Sequence, residues 1–161
     1  MARTTTDHTI AVSPASLIGV VRKEALADEA LYPGMLARFD ADEELEAHAT
    51  AGGVLVGKVV ILETQTPDTD TYPTTAAIDI PYTIGDTAYY AVGQPGDIFN
   101  MFLANGETAV KGVSQLISNA DGSLKVESVD ADTLAGSIVG VAAADLANTT
   151  GSRARLRVTI T

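Results

Sequence analysis

The chain has 161 residues, with 21 acidic against 10 basic side chains and a formal charge of -11. That length suits one domain with a real core, and the absence of Cys excludes disulfides, thiolate metal sites and Cys nucleophiles. The negative charge argues against nucleic acid, whose phosphates are held by Lys and Arg, while two histidines and 5% aromatics leave little material for ordinary catalysis.

Residues 1–16 are small and polar, with Pro14 near the end, and lack the apolar run of a secretory signal. They are expected to form a flexible N-terminal arm, followed by a single β-rich domain over 17–161. No segment is long and apolar enough to span a membrane. Within 24–31, Glu, Ala and Leu favour one or two turns of helix, in competition with a strand over 18–22. Tyr32-Pro33-Gly34-Met35 reads as a turn, since Pro fixes one φ and Gly accepts a positive one. A strand follows over 35–39. Asp40 to Glu43 makes a polar turn, and 45–48 pairs back as a hairpin.

Gly52-Gly53 breaks the chain, and 54–62 is an apolar, β-branched run of strand length. Residues 63–79, rich in Thr, Pro and Asp, read as a long exposed loop. Residues 82–92 supply a turn feeding a strand, Gln94-Pro95-Gly96-Asp97 a turn, and 98–103 a strand ending at the hairpin-type dipeptide Asn105-Gly106. Further strands are expected at 110–117, 123–127, 136–141 and 153–160. Short strands with turn dipeptides at roughly 8–12-residue intervals indicate an all-β fold, a small barrel or sandwich of antiparallel strands.

The motifs for chemistry are incomplete. Gly52 to Lys58 satisfies G-x-x-x-x-G-K, but Val59 stands where Ser or Thr should hold Mg²⁺, and the run continues as a strand where phosphate binding needs a helix start. Gly112-Val113-Ser114-Gln115-Leu116 lacks the second Gly of a hydrolase elbow. His8 and His48 read as solvent-exposed. Acids cluster at Asp40, Asp42, Glu43, Glu44 and Glu46, at Asp68 and Asp70, and at Asp130 and Asp132, without the full Ca²⁺-loop pattern. They read as a solvated acidic surface. Asn148-Thr149-Thr150 matches a glycosylation acceptor, with Asn148 expected in a surface turn. No catalytic residue, metal ligand set or cofactor site emerges, so the chain is expected not to be an enzyme.

Arg153, Arg155 and Arg157 alternate with Ala154, Leu156 and Val158. On a strand the arginines line one face and the apolar residues the other. Such a ridge either pairs with the protein's own acids or docks an acidic partner. The scarcity of Lys beside abundant Asp, Glu, Ala, Val and Thr fits both a halophilic source and a high-GC genome.

Several segments in order resemble one family. They are Arg22-Lys23-Glu24-Ala25, Tyr32-Pro33-Gly34-Met35-Leu36, His48-Ala49-Thr50-Ala51-Gly52-Gly53, the stretch 82–92 with Pro95-Gly96-Asp97, and Leu103-Ala104-Asn105-Gly106-Glu107. Then come Ser118-Asn119-Ala120-Asp121-Gly122-Ser123-Leu124, Ile138-Val139-Gly140-Val141-Ala142 and 153–160. Over residues 20 to 161 this order resembles the capsid cement, or head decoration, proteins of tailed double-stranded DNA viruses. One departure is the stretch 65–79, shorter and richer in Thr and Pro than its counterpart. The resemblance implies a β-rich structural virion protein on the outer capsid surface, bound where major capsid proteins meet, often as a homotrimer. It implies reinforcement of the shell against internal DNA pressure, with terminal arms reaching over neighbouring subunits. Candidate capsid-docking residues are then Arg153, Arg155 and Arg157 on the ridge, with Arg3, Ile10 and Val12 in the arm. A reading of another class is a non-catalytic β-module binding carbohydrate, through Tyr72, Tyr82, Tyr89 and Tyr90, or Ca²⁺.

Overall fold

The computed structural model describes residues 9–13, 20–65, 70–71, 75–127 and 136–161. In chain order the strands are β1 (Ala11–Ser13), β2 (Lys23–Leu26), β3 (Leu36–Phe39), β4 (Leu45–Ala47), β5 (Val59–Ile61), β6 (Thr87–Val92) and β7 (Ile98–Leu103). They continue as β8 (Thr108–Ala109), β9 (Gln115–Ser118), β10 (Leu124–Val126), β11 (Gly140–Ala142), β12 (Leu146–Ala147) and β13 (Ala154–Ile160). Ala77–Asp79 adds one turn of 3-10 helix, the sole helical turn among the described residues. The fold is all-β.

One sheet runs β1-β7-β10-β9-β11-β13, and β7 also pairs with β13, so β7, β10, β9, β11 and β13 close into a five-stranded barrel. All its pairings are antiparallel except β10 with β7. A second sheet runs β2-β6-β5-β3-β4, and a single parallel bridge, Ala27 to Leu45, ties its two edges into a second, loosely closed barrel. β8 and β12 form a separate ribbon.

Each barrel has its own core, and the two share a wall. Phe99, Met101, Leu103, Leu116, Leu124, Leu156, Val158 and Ile160 fill the first. Leu31, Leu45, Ile61, Tyr82 and Ala88 belong to the second. In β5 the side chains alternate between them: Val60 joins the first core, Val59 and Ile61 the second. A strand buried on both faces reads as an unbroken apolar run, which is why Val59-Val60-Ile61 shows no polar alternation. Each fully buried large side chain contributes about 1.5–3 kcal/mol.

The turn at Pro33-Gly34 joins the barrels. Gly34 has φ 95°, and a Cβ there would stand 2.9 Å from the Asn100 carbonyl oxygen, so only glycine lets this turn lie against β7. Its carbonyl accepts the Phe102 N–H at 3.0 Å.

Several sequence expectations need correction. Residues 23–26 form a strand, not a helix: all four pair with 87–90 of β6, and these ladder bonds outweigh local helix propensity. The expected strand over 54–62 shrinks to β5, because among the described residues no strand pairs with 54–58 to complete a ladder. Residues 110–114 turn between β8 and β9, where the Ser114 hydroxyl accepts the Val110 N–H at 2.9 Å. Asn105-Gly106 is a turn but no hairpin, since β7 and β8 pair elsewhere and the Gly106 N–H goes to the Asn148 carbonyl. The hairpin expected at β3–β4 is present, and β9 and β10 form a second one.

Candidate functional site

β13 places Arg155 and Arg157 as its alternation requires, opposite Leu156, Val158 and Ile160 in the core, and Arg153 stands just before the strand. The ridge is not uniform. Arg155 is built into the fold: its guanidinium donates to Asp79 Oδ1 at 2.6 Å, to the Pro33 carbonyl at 3.1 Å and to the Ile78 carbonyl. It also stacks 4.6 Å from the ring centre of Phe102, its cross-strand partner. Arg155 therefore fastens the segments at 33 and 78–79 onto the outside of the first barrel. Arg157 is half-buried and already engaged. Arg153 is exposed, with its guanidinium 6.0 Å from the Tyr32 ring centre and 5.7 Å from that of Phe102. Beside it, burial of Asp121 is outweighed by hydrogen bonds from Ser123 and by the field of Arg153, which lower its pKa.

Of the arm candidates, Arg3 lies outside the described residues, as do the 16/17 boundary and His8. Ile10 is fully buried in the first core, which removes it as a docking residue in this state of the chain. Its N–H donates at 3.0 Å to Glu63 Oε2, whose other oxygen accepts Arg22 at 2.6 Å. Val12 is half-buried in β1, against β7. The sequence could not show this, because the partner of Ile10 lies 53 residues away.

His48 is buried, contrary to the sequence expectation. Its Nδ1 lies 2.7 Å from the Ser118 hydroxyl, and its backbone N–H donates to the Leu36 carbonyl, so it sits on the seam between the barrels. Burial first, and then the nearby Arg38 charge, hold its pKa below 6.5, against a smaller upward pull from a backbone hydrogen bond at Thr50. Asn148 is buried too, with its amide donating to the carbonyls of Leu103, Ala104 and Ser152. That is an internal loop staple, not a surface acceptor for a glycan.

Among the described residues the tyrosines do not assemble a sugar platform. Tyr82 is a core residue whose hydroxyl donates to the Leu62 carbonyl at 2.9 Å, and burial pushes its pKa up to about 12. Tyr89 and Tyr90 are half-buried, and Tyr90 packs edge-on against Phe39 at 5.3 Å. Tyr72 lies outside the described residues. Among the acids, Asp28, Asp40 and Glu44 bring carboxylate oxygens within 4.8 Å of one another. Asp40 Oδ1 already accepts the N–H groups of Asp42 and Glu44, an arrangement that shapes the turn. Asp68, Asp130 and Asp132 fall outside the described residues. Gly57-Lys58 leads into β5, and the Lys58 ammonium, its pKa lowered by burial, bonds the Thr161 carbonyl. The phosphate-loop pattern therefore feeds a sheet.

A feature not singled out in the sequence is a cleft of about 670 Å³ beside the β3–β4 turn. Phe39, Val54, Val56, Val59 and Val92 supply its apolar lining. Arg38, Glu46 and His48 supply polar groups, and Arg38 Nε donates to Glu46 Oε1 at 2.6 Å, so these two charges cancel locally. Val54 and Val56 stand out into solvent at 55% and 107% relative exposure. The same valines read from sequence as part of an apolar strand. Bracketing by Gly52, Gly53 and Gly57 was the one available signal that they form a loop.

No protein-family model matches the chain, and no curated protein does. Among solved structures the chain is similar to the head fiber gp8.5 N base of bacteriophage phi29, with a TM-score of 0.53 and 15% identity, over 88% of this chain and 94% of that one. At that identity the likeness shows a shared all-β fold, spanning nearly the whole of both chains.

Proposed function

We propose that this chain is a structural protein of a tailed-virus virion. It attaches to the outer surface of the capsid where major capsid proteins meet and reinforces the shell against the pressure of packaged DNA. The observation that carries the reading is the likeness to a phage head fiber base across 88% of the chain. The ordered run of cement-type motifs over residues 20 to 161 supports it independently. The chain acts by binding, as a homotrimer seated on major capsid protein. On the ridge, exposed Arg153 with Tyr32 is the element suited to an acidic partner surface, because Arg and Tyr concentrate binding energy at interfaces. Many weak contacts repeated around a symmetric position give avidity without a deep pocket.

The test is co-sedimentation with shells purified from the same source and stripped of this protein. Saturable binding at a fixed ratio to the major capsid protein is the expected result. No co-sedimentation at either low or high salt would overturn the reading. In parallel, calorimetric titration with Ca²⁺ and a glycan panel is expected to show no saturable heat.

A further inference from the structure

We propose that the cleft beside the β3–β4 turn is a docking site for an extended segment of the shell protein, one that presents an apolar side chain next to a Lys or Arg. The proposal rests on the virion reading above and adds a second contact of opposite character to the ridge. Two features of the cleft define its occupant.

The first is unspent apolar surface. Phe39, Val54 and Val56 are all exposed at one site, two of them on a loop held between glycines. Leu55 between the valines packs on the first core, which anchors the loop while its neighbours point outward. A volume of about 670 Å³ accommodates a few side chains and is too small for a folded domain. Exposed apolar groups gathered around a concavity mark an interaction site, whereas scattered ones do not.

The second is charge. Asp40 and Ala41 of the β3–β4 turn line the cleft, the same turn carries Asp42, Glu43 and Glu44, and none of these acids forms an ion pair among the described residues. The cation that faces the cleft, Arg38, is neutralised by Glu46. The rim is therefore net negative on a chain of charge -11, a field that attracts cations and repels another copy of this chain. A partner segment with an apolar residue for the cleft and a basic residue for the rim satisfies both features.

The experiment uses the full chain with the same stripped shells and compares four proteins: wild type, Val54→Asp/Val56→Asp, Asp42→Asn/Glu43→Gln, and Arg153→Glu. The expected result is at least a tenfold loss of affinity for the valine variant, with an unchanged unfolding transition. The acid variant is expected to bind severalfold more weakly and with a shallower salt dependence. Wild-type affinity in a folded valine variant, with Arg153→Glu impaired, would overturn the cleft proposal and leave the virion reading standing. Absence of wild-type binding would overturn both. If the valine variant fails to fold, the acid variant decides: an unchanged affinity and salt slope would overturn the proposal.

Discussion

Arg155 and Val56 stand in two regions of opposite character. The arginine was recruited inward, its guanidinium bonded to two backbone carbonyls and a carboxylate and stacked on Phe102. The valine is left fully in water at the lip of a cleft. By residue type alone the assignments reverse, with arginine outside and valine inside. The difference teaches that a regular alternation on a strand identifies a face without saying what lies on it. β13 puts its arginines on the outside of the first barrel, and that outside is where the second barrel's turns are fastened.

The sharpest way to break the comparison is to remove the arginine. Arg155→Ala is expected to cost about 2–3 kcal/mol, because it leaves the Pro33 and Ile78 carbonyls without their donor and exposes the Phe102 ring face. The Asp79 ion pair adds little to this, since Asp79 is 55% exposed and water screens it. Denaturant unfolding measures the loss. A change below about 0.5 kcal/mol would return Arg155 to the class of free docking residues.

A smaller effect is expected at the seam. His48→Gln should cost about 1–2 kcal/mol through the buried bond to Ser118. It also carries a pH signature. The native state holds His48 neutral below its unfolded value of 6.5, so between the two values the unfolded chain binds more protons. Stability is then full above 6.5 and falls as pH drops through the lowered native value. The charged groups beside the ring, Arg38 and Glu46, form a pair whose net charge is near zero, and Arg38 opposes a second cation. Unfolding measured from about pH 8 to about pH 5 in both proteins separates this from the relief of acidic repulsion, which is common to the two. Parallel curves would remove His48 from the seam's proton balance.

Much of the fold was legible because its punctuation is local. Pro33-Gly34, Pro95-Gly96 and Asn119 to Gly122 demand turns by their own stereochemistry, and Val59-Val60-Ile61 is too apolar and β-branched to be a loop. What was hidden depends on distant partners. β2 looks helical until β6 is placed beside it. Asn148 looks like a surface residue until the carbonyls of Leu103 and Ala104 reach it from 45 and 44 residues away. The candidate site was the least legible part. The ridge was visible as a pattern, but its inward use was not. Residues 54–58 beside the cleft were read as the start of a strand, since only the bracketing glycines hint that they form a loop.

The smallest expected effect decides whether the two regions truly differ. Val56→Asp should change stability by no more than about 0.5 kcal/mol, because a side chain at 107% relative exposure buries nothing that the substitution would expose. The added charge joins an acidic rim, so any residual destabilisation should vanish as salt screens it over a Debye length of about 8–10 Å. Thermal unfolding at low and high salt measures both terms. A loss above about 1 kcal/mol that persists in salt would mean that Val56 packs in the folded protein. The valine would then pack on the core as its neighbour Leu55 does, and the contrast with Arg155 would collapse. Stability within the expected range, together with lost shell binding, would show that the apolar surface at the cleft contributes to association and not to folding.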